Sequence, residues 1–186
     1  MLPEFLMQAA TDVKTALTLQ DEKLVLAESC TGGLVATLLT SLPGISDFFC
    51  GSAVVYRWDT KMKWLGVQPE TLEKYTDVSR ETAREMALGV LNQTPEASWS
   101  ASITGHLGPN APLHQDGLIC IAVAGRISAD LHSPPELITV GSFDCNTLID
   151  EFQLAGNFSQ DLSQRQCRQL ASAFQLLKLI SNTLER

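Results

Sequence analysis

The sequence predicts a single three-layer α/β domain, a mixed sheet covered by helices. Three observations carry that expectation. Short apolar runs of strand composition alternate along the chain with segments of helical period. The 186 residues, 45% hydrophobic and 18% charged, suffice for one sizeable core of ordinary globular composition. Neither a low-complexity linker nor an internal repeat divides them.

The elements follow in order. Leu2, Phe5, Leu6, Ala9, Val13 and Leu17 recur at helical spacing, so residues 1–20 read as an amphipathic helix. The sheet core spans about residues 23–145. "KLVLAES" is its first strand, and from Gly32 "GLVATLLTSL" has helix composition until Pro43-Gly44 stops it. "FFCGSAVVY" is β-rich and forms the second strand. Ser79 is the N-cap of a helix over "SRETAREMALGVLNQ", with Glu81 in the first turn, where the helix dipole favours an acid. "ASWSASIT" and "GLICIAVAG" are two more strands, separated by a loop from Gly105 to Gly117, and a last strand lies within "PELITVGSF". Cys167, Leu170, Ala171, Phe174, Leu177 and Leu184 mark a C-terminal helix over about 162–184. Ligands of such folds sit beyond the C-terminal ends of strands, so the turns after Glu28, Tyr56 and Thr104 are the places to look.

Composition narrows the function classes. Thirteen Lys and Arg against 21 Asp and Glu give a formal net charge of -8, which argues against nucleic acid as a partner. A small anionic substrate is compatible with that balance, because a site can be locally positive on an acidic protein. No apolar run approaches the roughly 20 residues of a membrane span, and no leader pattern precedes the first helix. The expectation is a cytoplasmic protein without a membrane partner. Five cysteines, odd in number and never in CxxC, indicate neither a zinc site nor a disulfide framework, and Cys120 in "LICIAVAG" reads as a small buried hydrophobe. His106, His114 and His132 all lie in or beside loops. His106 and His114 with Asp116 form the one metal-like set, at a spacing too irregular for a metal to be expected.

"LAESCTGG", residues 26–33, ends an apolar strand in an acid, two hydroxyls, a thiol and two glycines. Ser29 at this position is exposed at the sheet edge, and free N–H groups around Thr31, Gly32 and Gly33 can bind an anion or oxyanion. Ser29 or Thr31 merely capping the next helix is the commoner role, and the run is no standard nucleotide loop. A nucleophilic serine needs a base, and "YRWDTK" offers one: Lys61, about one helical turn beyond Tyr56. A Lys acts as a base when burial lowers its pKa, and a Tyr can relay a proton. Read alone, Lys61 is as well a solvated charge and Tyr56 a half-buried strand end.

Taken together, "LAESCTGG", "LPGISDFFCGSAVVY", the Lys five residues after that Tyr, and "SITGHLGP" resemble the C-terminal domain of the competence/damage-inducible CinA proteins. That domain also exists alone as the PncC-type nicotinamide-nucleotide amidohydrolase. The resemblance runs from about Lys23 to Gly125 and more faintly through the C-terminal helix. It implies hydrolysis of the carboxamide of nicotinamide mononucleotide to the acid and ammonia, with neither metal nor cofactor. By the same resemblance Ser29 attacks the amide carbonyl, and Lys61 with Tyr56 handles the protons. Thr31, Gly32, Gly33, Thr104 and Gly105 bind the oxyanion or the ribose phosphate. Cys30 is the rival nucleophile. Neighbours at a strand end point to opposite sides and no His partners the thiol, so Ser29 is preferred.

Three segments depart from the family pattern. Tyr56-Arg57-Trp58 stands where a Tyr-Ser-Asn is usual. "GPNAPLHQDGLI" replaces a longer loop with glycines and a Lys, and Gln160-Asp161-Leu162 replaces a Gly-Asp-Arg. Arg57 or Arg165 could supply the phosphate contact that the missing Lys and Arg would make. The alternative is a family member with altered substrate or lost activity, serving as a ligand-binding or assembly protein. The apolar helices also leave room for a homodimer.

Overall fold

The computed structural model describes residues 3–112, 114–126, 134–154 and 161–185. Its strands are β1 (Leu24–Glu28), β2 (Phe49–Val54), β3 (Trp99–Gly105), β4 (Leu118–Gly125) and β5 (Glu136–Asp144), in the sheet order β2-β1-β3-β4-β5. β1 pairs in parallel with both β2 and β3, whereas β3–β4 and β4–β5 are antiparallel, so the sheet is mixed as expected.

Helices cover both faces, so β1, β3 and β4 are buried on both sides, and the polar residues of β3 are the small Ser100, Ser102 and Thr104. Leu24 and Leu26 of β1, Ile103 of β3 and Ile121 of β4 face one layer. That layer holds α1 (Glu4–Gln20), α2 (Leu34–Thr40), α6 (Cys145–Leu154) and α7 (Gln164–Leu184). Val25, Ala27, Cys120 and Ala122 point the other way, onto α3 (Trp58–Leu65), α4 (Pro69–Tyr75) and α5 (Arg80–Asn92). In α5, Gly89 permits a close approach: a Cβ there would stand 1.9 Å from the Leu65 carbonyl oxygen of α3.

Several helix ends are fixed by their caps. Ser79 Oγ accepts the Thr82 N–H at 3.1 Å, the expected N-cap of α5. Ser163 and Gln166 form a capping box that starts α7. α2 begins at Leu34 rather than at Gly32, because Gly33 takes a left-handed conformation (φ 93°) as its N-cap. The sequence pattern does not reveal α3, α4 and α6. α4 is seven residues long with one buried side chain, Leu72, too little to make a period visible.

Candidate active site

Period-two alternation at the end of β1 sorts the residues of the turn. Glu28 lies on the same face as Leu24 and Leu26, directed to the start of α2. Its carboxylate is fully buried and accepts five hydrogen bonds. Oε2 takes the Thr31 hydroxyl (2.8 Å) and the N–H groups of Gly33 (3.2 Å) and Val35 (3.1 Å). Oε1 takes the Ala36 N–H (3.0 Å) and the Ser52 hydroxyl of β2 (3.1 Å). The acid thus serves as the anion that the N-terminus of α2 attracts, and it ties strand, turn and helix into one unit.

Ser29 faces the opposite layer, where α3 supplies Lys61. The Lys61 side chain is completely buried and its Nζ donates to Ser29 Oγ at 2.9 Å. Burial pulls this ammonium below its ordinary value of 10.5, against the upward pull of Asp77 and, more weakly, of Cys30. α3 is amphipathic with a Lys in a core position, so its sequence disguises it as surface.

A cleft of about 180 Å³ opens over Ser29, bounded by Cys30, Tyr56, Asp77, the segment from Gly105 to Ala111, and Arg165. Cys30 turns into the layer of α2 and α7, where burial pushes its thiol up to about 12. A thiol so protonated is a poor nucleophile at neutral pH. Gly105 must be small, since a Cβ would meet Ile119 Cγ2 at 2.7 Å and Cys30 Sγ at 3.1 Å. The end of the loop at Asp116 is held by Arg168, a buried side chain of α7 that bridges both Asp116 oxygens (2.6 and 2.7 Å) and reaches Asn146 Oδ1 (3.0 Å).

Other expected site residues stand elsewhere or do other work. The Gly32 N–H donates to the Ser29 carbonyl and the Gly33 N–H to Glu28, so neither is left for a ligand. The hydroxyl of Thr31 is likewise bound to Glu28, and that of Thr104 donates to the Asp77 carbonyl at 2.6 Å. Among the described residues the N–H group of Thr31 has no accepting partner. Tyr56 is 60% exposed, and its hydroxyl accepts from Arg165 Nη2 at 2.8 Å rather than standing between Ser29 and Lys61. Arg165 also donates to the Gly108 carbonyl, whereas Arg57 pairs with Asp59 on the outer surface. Trp58 is 43% exposed and borders a separate depression with Arg57, Asp59 and Met62. Asp116 serves Arg168 rather than a metal-like set with His106 and His114. His132 and Gln160 lie outside the described residues.

The family model of the CinA C-terminal domain matches residues 6–134. The chain belongs to the CinA C-terminal domain family. A CinA-like protein of Desulforapulum autotrophicum is 43% identical over 116 residues, 61% of this chain and 27% of that protein. A CinA-like protein of Endomicrobium trichonymphae is 36% identical over 163 residues, 87% of this chain and 33% of that protein. The chain therefore spans about a quarter to a third of the length of such curated relatives. Among solved structures, the competence/damage inducible protein CihA of Agrobacterium tumefaciens superposes with a TM-score of 0.79 at 27% identity, covering 100% of this chain and 99% of that one. The competence damage-inducible protein A of Klebsiella pneumoniae has a TM-score of 0.77 over 97% of this chain and 98% of its own, and at 22% identity it shows the shared fold alone.

Sequence reasoning passed over two residues of the site. Glu28 carried a signal, an acid at the end of an apolar strand just before a helix start. Asp77 carried none, because it belongs to no motif and reaches the cleft only through the packing of α5 on the sheet.

Proposed function

We propose that this chain is a metal-independent amidohydrolase that converts the carboxamide of nicotinamide mononucleotide to the carboxylic acid and ammonia. The observation that carries the reading is the 2.9 Å contact between Ser29 Oγ and a wholly buried Lys61 Nζ. A lysine so desolvated holds its proton less tightly than one in water and can act as a general base at moderate pH.

Neutral Lys61 takes the Ser29 proton as Oγ attacks the amide carbon. The N–H group of Thr31, which has no accepting partner among the described residues, receives the oxyanion. Lys61 then passes the same proton to the amide nitrogen, the C–N bond breaks, and ammonia leaves. Water, deprotonated by Lys61, hydrolyses the acyl-serine and restores the Ser29 hydroxyl. Arg165, fastened to Tyr56 and to the Gly108 carbonyl, is the cation of the cleft and takes the substrate phosphate. Tyr56 in this scheme holds Arg165 rather than relaying protons.

The test is ammonia release from nicotinamide mononucleotide by the wild-type chain and by Lys61→Met, which preserves the buried stem. Wild type is expected to turn over and the variant to lose at least a hundredfold, within the usual worth of a general base of about 10²–10⁴-fold. A folded wild type that releases no ammonia removes the substrate, and a fully active Lys61→Met removes the base.

A further inference from the structure

Asp77 is a part of the cleft that the reaction scheme leaves without work. It lies in the turn between α4 and α5, and that turn is pinned on several sides. Thr104 Oγ1 donates to the Asp77 carbonyl (2.6 Å), Thr82 Oγ1 donates to the Thr76 carbonyl (2.7 Å), and Ser79 caps α5. Thr76 adopts φ 70°, a left-handed value that a β-branched residue rarely takes, so the turn is held in one strained shape. The result is a half-buried aspartate beside Ser29 whose carboxylate has no hydrogen-bond or ion-pair partner among the described residues. A carboxylate in a cleft with its acceptor oxygens unused by the protein can take N–H donors from a ligand bound there.

The two charged walls come from opposite layers. Asp77 arrives with α5, on the side of the sheet that also supplies Lys61, and its charge acts on Lys61 more strongly than any other. Arg165 arrives with α7, from the other side. A substrate carbon placed on Ser29 must turn its leaving nitrogen to the Lys61 side to receive the proton. That nitrogen then faces Asp77, and the remainder of the substrate extends to Arg165.

We infer that Asp77 is the specificity-determining residue of this site, accepting an N–H of the primary carboxamide and repelling the carboxylate that replaces it in the product. The inference rests on the amidohydrolase reading and deepens it. An amide –NH2 is a donor only, and a carboxylate oxygen in its place is an acceptor only, so one aspartate favours the first and opposes the second. As the C–N bond breaks, the departing ammonia keeps its N–H donors toward Asp77. The acid left behind meets a like charge, which speeds its release.

The test is calorimetric titration of the full chain carrying Ser29→Ala, which prevents turnover, with nicotinamide mononucleotide and with nicotinic acid mononucleotide. The amide is expected to bind at least tenfold more tightly than the acid. Adding Asp77→Asn, and separately Asp77→Ala, is expected to cut that preference below threefold, mainly by tightening the acid. Unchanged melting temperatures establish that the turn survives, as the backbone contact to Thr104 should ensure. A preference that persists in both Asp77 variants overturns the inference, as does a chain that binds neither nucleotide. If wild type releases ammonia while the preference persists, Asp77 alone is misassigned. If wild type releases none but the preference exists and vanishes with Asp77, the hydrolase reading fails and the role of Asp77 in discrimination stands.

Discussion

Glu28→Gln is the perturbation whose cost follows most directly from the geometry. The carboxylate is sealed from solvent and surrounded by five donors, three on Oε2 and two on Oε1. A glutamine keeps only one acceptor oxygen, and its best placement puts that oxygen where Oε2 was, retaining Thr31, Gly33 and Val35. Its –NH2 then confronts the Ala36 N–H and the Ser52 hydroxyl. The hydroxyl can rotate to accept, but the Ala36 N–H cannot, so one buried donor faces another. Hydrogen bonds to a charged acceptor are worth about 1.5–3 kcal/mol each, so losing two, with partial recovery at Ser52, costs roughly 3–5 kcal/mol. For a domain of this size that is a fall in melting temperature of roughly 6–20 °C. Urea and thermal unfolding of Glu28→Gln beside wild type measure it. A loss under about 1 kcal/mol, within the range of an ordinary surface substitution, would refute the claim that Glu28 holds the turn.

Four further outcomes follow from the surroundings of Lys61 and Arg165. Lys61→Met removes a buried ammonium while keeping the packing of its stem, so the variant is expected to be more stable than wild type near neutral pH by roughly 1–2 kcal/mol, after the lost Ser29 contact is counted. Because the folded pKa of Lys61 lies below the unfolded value of 10.5, the unfolded chain binds the extra proton between the two. Wild-type stability therefore gains a rising contribution as pH climbs through that window, and unfolding measured against pH should show it diminished in Lys61→Met. The same shift predicts that kcat/KM for ammonia release rises with pH, with a midpoint below 10.5, and a profile flat across that range would count against Lys61 as the base. Arg165→Met is expected to raise KM for nicotinamide mononucleotide roughly tenfold, the worth of one charged hydrogen-bonded contact, while leaving the phosphate-free riboside nearly unaffected; equal effects on both would place the phosphate elsewhere.

The parts of this protein that could be read in its sequence are those in which one residue class repeats. β1 and β4 are buried on both faces and announce themselves as largely apolar runs, β3 alternates apolar residues with Ser100, Ser102 and Thr104, and α5 carries both its period and its Ser79 cap. α3 was harder, because its inward positions include Lys61, which any pattern of hydrophobicity assigns to the surface. The site shows the same division. Ser29, Lys61 and Tyr56 were selected by a family pattern, and the structure gathers them about one cleft or its base. The work of the backbone N–H groups could not be foreseen, since it depends on where the Glu28 side chain turns. Arg165 and Asp77 line one cleft from sequence positions 88 residues apart, brought there by α7 and α5 on opposite faces of the sheet. No local spacing encodes such a pairing.

Ser29 and Cys30 are adjacent, chemically similar and turned to opposite faces of the sheet, and in the proposed reaction the attack falls to the hydroxyl. Ammonia release from nicotinamide mononucleotide by Ser29→Ala and by Cys30→Ala, each with its melting temperature, tests that assignment most directly. Turnover is expected to disappear in Ser29→Ala and to persist in Cys30→Ala. Turnover retained in Ser29→Ala and abolished in a folded Cys30→Ala would contradict it.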